Sequence, residues 1–124
     1  MSERLVVDLV TDDPSNDEFV LYLVEEGPWE PAALQGRLKD IQDRLYSAFD
    51  AAVDGHLAIR YPDSKGRKIR IQVDVHGVPP PEVESLVALF DNYVNCNADY
   101  QRDIQLSDFI SSLRIVTRSQ MGRV

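Results

Sequence analysis

Residues 29–55 read WEPAALQGRLKDIQDRLYSAFDAAVDG, and their periodicity decides the architecture. Leu34, Leu38, Ile41, Leu45, Phe49, Ala52 and Val53 recur by threes and fours, which places them on one stripe of a helix. Lys39, Asp40, Asp43, Arg44 and Asp50 fall mostly off that stripe and can stay in water. Pro31 suits a first-turn position, where its missing N–H would have no intrahelical partner anyway. Gly55 suits the stop, because glycine accepts the left-handed backbone that closes a helix. The spacing therefore predicts one long amphipathic helix, and its stripe needs a sheet or further helices to cover it.

Strands on either side supply that cover. Leu5 to Val10 and Phe19 to Val24 are rich in β-branched and aromatic residues. The aspartates and proline of Thr11 to Asp17 favour local hydrogen bonding, so the two runs read as an antiparallel hairpin across a turn. Lys68 to His76 alternates cleanly: Ile69, Ile71, Val73 and Val75 point one way, and Arg70, Gln72, Asp74 and His76 the other. Leu57, Ile59 and Tyr61 fit either a short strand or one more helical turn. After the rigid GVPPP of 77–81, Val83, Leu86, Val87, Phe90 and Val94 form a second helical stripe that fades near Asn95 to Asn97. Ala98 to Asp108 is polar and shows no period, Phe109 to Thr117 is a last strand, and 118–124 reads as a loose tail. The expected fold is a single α+β domain over 1–124, a two-layer sandwich of order ββαβαβ with a four-stranded sheet and two helices on one face.

The chain has 124 residues and a formal net charge of −8. No apolar run approaches the roughly 18 residues of a membrane span. The opening MSERLVVDLVTDD lacks a basic start and a long apolar middle, so a cytoplasmic location is expected. Acids outnumber bases 13 to 4 over residues 1–54, whereas bases lead 5 to 2 over 55–78 and 3 to 0 over the last fourteen. An acidic chain repels a phosphate backbone, which argues against nucleic acid as a partner. One cysteine, Cys96, leaves no internal disulfide and no cysteine metal site.

Candidate chemistry is sparse, and no cofactor or metal is expected. His76 follows Asp74 by two residues on the same strand face, which could tune it as a base; a polar pair on an exposed face explains the same residues. His56 sits where a histidine can meet the negative end of a helix. Asp12, Asp13, Asn16 and Asp17 cluster as calcium ligands do, but lack the glycine and terminal glutamate of a calcium loop. Ser64 to Lys68 has a phosphate-loop flavour without the first glycine. The five tyrosines, Tyr22, Tyr46, Tyr61, Tyr93 and Tyr100, form no base-stacking pattern, and Trp29 is placed to staple the helix entrance.

Trp29, Leu34-Gln35, Tyr46, Phe49, Gly55, Leu57, Tyr61-Pro62, Gly66 and the alternating strand Ile69 to Val75 followed by prolines together resemble a family of small bacterial proteins catalogued as a domain of unknown function. The resemblance covers about two-thirds of the chain by this pattern reading and implies no catalytic residues.

Three functions follow as expectations. A non-enzymatic interaction domain would use Val6, Val10, Val20, Tyr22 and Val24, the apolar residues left on the reverse of the sheet, to form a homodimer. An acidic inhibitor of the immunity type would capture a basic toxin protein. An enzyme would use His76 and Asp74.

Overall fold

A computed structural model describes residues 7–27, 29–77 and 80–119. Strands β1 (Leu9–Asp13) and β2 (Glu18–Glu25) form the hairpin, and helix α1 (Pro31–Asp54) follows. A short helix α2 (His56–Arg60) and a 3-10 turn (Pro62–Ser64) lead to β3 (Arg67–Val75). Helices α3 (Pro81–Cys96) and α4 (Ala98–Leu106) precede β4 (Ile110–Ser119). The sheet order is β1-β2-β3-β4, with the first pair antiparallel and the next two parallel. β2, β3 and β4 are laid down in one direction across the sheet, so crossovers of a single hand bring α1 and α3 to the same face. The expected α+β sandwich is the observed one.

Proline opens both long helices, and Gly55 closes α1 in the left-handed region at φ 98°. The stripe of α1 buries Ile41, Leu45, Ala48, Phe49 and Ala52; that of α3 buries Val83, Val87, Phe90 and Val94. Both pack on Phe19, Leu21, Leu23, Ile69, Ile71, Val73, Val75, Leu113 and Ile115 from the near face of the sheet. The Leu57 to Tyr61 alternatives resolve to helix. Ala98 to Leu106 is helical because the Asn97 side-chain oxygen accepts the Asp99 and Tyr100 N–H groups at its start (2.9 and 3.3 Å).

The first strand departs from expectation in position and in facing. It runs over Leu9–Asp13 and thus takes in part of the predicted turn; Leu5 lies outside the described residues. Two aspartates are tolerated in it because each meets a guanidinium from β3: Arg67 Nη2 donates to Asp12 at 2.8 Å and Arg70 Nη1 to Asp13 at 2.9 Å. The Pro14–Asp17 turn pairs Asp13 with Glu18, so Val10 faces Leu21 and Leu9 faces Tyr22. Val10 is therefore on the helical face, packed against the core, and Leu9 is on the reverse. A one-residue change of register exchanges the two faces of a strand, and no residue type in the turn distinguishes the two registers by composition.

Candidate docking surfaces

The reverse of the sheet is covered by charge rather than by bare apolar side chains. Cross-strand rows run Asp13–Glu18–Lys68–Ser112, Thr11–Val20–Arg70–Arg114 and Leu9–Tyr22–Gln72–Val116. Glu18 and Arg70 are both buried and joined at 2.8 Å; Arg114 grips the same carboxylate through Nε (2.6 Å) and Nη2 (2.8 Å). These bonds hold the Glu18 carboxyl below its usual range, Arg114 first, against the opposing effect of burial. Asp13 is lowered by Asn16 and then by Arg70, and Asp12 by Arg67. The aspartate turn is thus spent on arginines, and no group of three or more potential metal ligands occurs among the described residues.

Of the interface residues expected on this face, Val6 lies outside the described residues and Val10 is on the other face. Val20 is here but 0% exposed, and Tyr22 and Val24 are half-buried. Leu9 is 58% exposed here. His76 is exposed, while the Asp74 carboxylate accepts a hydrogen bond from Gln72 Nε2 at 2.8 Å rather than from His76. The pair is not assembled as a base and its orienting acid. Trp29 does more than staple the helix: its Nε1 donates to the His76 carbonyl at 2.8 Å, tying the exit of β2 to the exit of β3. Cys96 is exposed at the end of α3, its thiol 3.4 Å from the Asn92 side-chain oxygen.

The helical layer carries the concave features. Gln42 and Tyr46 of α1 and Leu86, Leu89, Phe90 and Tyr93 of α3 line a groove of about 300 Å³. Leu89 is 66% exposed and Tyr93 47% exposed at its rim. Tyr46 and Phe90 form its floor; each has an aromatic residue three positions on, Phe49 beneath on α1 and Tyr93 on α3, that shares its helix face. Tyr46 meets Phe90 edge-on at 5.0 Å between centroids, and Tyr100 of α4 meets both Phe49 and Tyr93 at 5.2 Å. Burial, with a hydrogen bond to Tyr46 next, pushes the Tyr100 hydroxyl up to about 12. Three tyrosines scattered in sequence thus converge, and the i, i+3 aromatic pairs are the signal that reveals it.

Farther along α1, Asp50 and Asp54 meet Asp103, Leu106, Asp108 and Phe109 around a cleft of about 350 Å³. Its rim is held by Ser107, whose hydroxyl donates to the Val53 carbonyl at 2.9 Å and accepts the Phe109 N–H at 3.1 Å. Asp8 and Glu25 pair with Arg44, Asp12 with Arg67, and Asp13 and Glu18 with Arg70. Among the described residues, no ion pair involves Asp54, Asp103 or Asp108.

Among the described residues no helix is long and apolar enough to cross a membrane. Comparison with protein-family models, curated proteins and solved structures found no match. Trp29 on the His76 carbonyl, Gly55 at the end of α1, and Gly66, whose N–H donates to the Phe109 carbonyl at 2.8 Å, sit at joints of the fold.

Proposed function

We propose that this chain is a small cytoplasmic, non-catalytic protein-binding domain whose docking surface is its helical layer. The observation that supports the reading is the α1–α3 groove with Leu89 and Tyr93 standing exposed at its rim. A large aliphatic and an aromatic side chain beside an apolar depression form a surface that gains by being covered. The reverse of the sheet, by contrast, carries the Glu18–Arg70–Arg114 cluster across its middle strands. A second reading, self-association through that reverse face, is favoured by Leu9 beside Tyr22, Val24 and Val116 and by the buried Gln72 Oε1, which has no hydrogen-bond partner. A photo-crosslinking amino acid placed in turn at positions 9, 89 and 93 separates the two in cells. Adducts from 89 and 93 but not from 9 support the groove; adducts of dimer mass from 9 alone transfer the role to the sheet.

A further inference from the structure

We infer that the occupant of the α1–α3 groove is a basic amphipathic helix of a partner protein, an inference that rests on the groove being the docking surface. The groove and the acidic cleft lie in succession along α1. Gln42, Tyr46, Asp50 and Asp54 are spaced by four, so they follow one slanting line of the helix surface that winds part of the way round α1. From Gln42 to Asp54 that line is about 18 Å long, the length of roughly twelve helical residues at 1.5 Å each. Its first half is aromatic and aliphatic, and its second half is acidic. A helix laid between α1 and α3 meets ridges and grooves of its own kind. Leucine-type residues at one end of such a segment would enter the aromatic floor, and lysine or arginine at the other would reach Asp54, Asp103 and Asp108.

Charge selects the partner class. Every acid that this chain carries on β1 and β2 toward its own arginines is matched, whereas Asp54, Asp103 and Asp108 stand at the cleft without an ion pair among the described residues. A second copy of the chain, at net charge −8, would bring like charge to the same place. A basic segment supplies the missing sign and speeds the encounter.

The test uses the whole chain and two synthetic helices of about twelve residues, matched to the track, one of leucine and lysine and one of leucine and glutamate. Binding is followed by calorimetry at low and at high salt. The lysine peptide should bind at least about tenfold more tightly than the glutamate peptide, with the advantage fading in salt. Neutralising Asp54, Asp103 and Asp108 to asparagine should abolish that ratio. Neutralising Glu26, Glu30 and Glu84 to glutamine, an equal charge change off the track, should preserve it. Leu89→Asp should weaken the lysine peptide whatever the salt. Equal binding of the two peptides, both released by Leu89→Asp, overturns the basic partner while leaving the groove as a docking surface. A lysine peptide indifferent to Leu89→Asp overturns both.

Discussion

Gly55 joins α1 to α2 in a backbone conformation that only glycine adopts without strain. A Cβ built there would lie 2.8 Å from two ring carbons of Phe109. Gly55→Ala should therefore cost more than about 1 kcal/mol, read as a lower denaturant midpoint. Adding Phe109→Ala would relieve the clash and leave the backbone strain. Glu18 shows the opposite economy, a buried carboxylate shared by two guanidiniums. Its folded pKa is depressed, so its contribution is complete above the ordinary carboxylate range and is lost as the pH falls through the folded value. Asp12 and Asp13 act in the same direction. The melting temperature should hold steady above about pH 5 and drop below about pH 4. Glu18→Gln should lower stability by about 2–3 kcal/mol near neutrality, because Arg70 stays buried with one partner fewer, and should flatten the acid limb.

At the scale of elements, periodicity was legible wherever an element buries one clean stripe. Residues of α1 and α3 alternate between core and water, and those of β3 between apolar and polar, so their spacing alone locates them. β1 and α4 were not legible, for different reasons. The facing of β1 depends on the Asp13–Glu18 pairing and its aspartates on arginines more than fifty residues away, neither of which is local. α4 depends on a single asparagine cap and on Gln101, whose side chain donates to the Val94 carbonyl at 2.7 Å and docks the helix on α3. β4 is a ten-residue strand on the sheet's edge, where unpaired N–H groups invite a neighbour. Asp91 of α3 occupies that edge: its Oδ1 accepts the Ile115 N–H at 2.8 Å and the Asn95 side-chain amide at 3.1 Å. Asp91→Ala should cost about 1–3 kcal/mol for the orphaned amide. It should also raise concentration-dependent association above that of the parent, visible by light scattering.

At the scale of the molecule, the sequence-wide charge bias resolves into two poles. Arg67, Arg70 and Arg114 lie on the sheet and are matched by Asp12, Asp13 and Glu18 of β1 and β2, whereas among the described residues no ion pair involves Asp54, Asp103 or Asp108 at the α1–α4 cleft. Counting charges along the chain detected the excess but not its placement, because the pairs close across strands and helices far apart in sequence. The α1–α3 groove was invisible for the same reason: of its six residues only Leu86 and Phe90 fall on the stripes read from spacing, and Gln42, Tyr46, Leu89 and Tyr93 join them only when the two helices pack. The expected apolar patch on the reverse face is interrupted by the register of β1 and by Arg70 and Arg114, whose partners no spacing rule announces.

β1 runs against β2, while β2, β3 and β4 run together. Leu9 and Ser119 therefore leave the sheet at the same end, and the Asp54–Phe109 cleft opens at the other. A fluorophore attached at position 9 would sit at the end of the sheet away from that cleft and leave its acidic mouth open to solution.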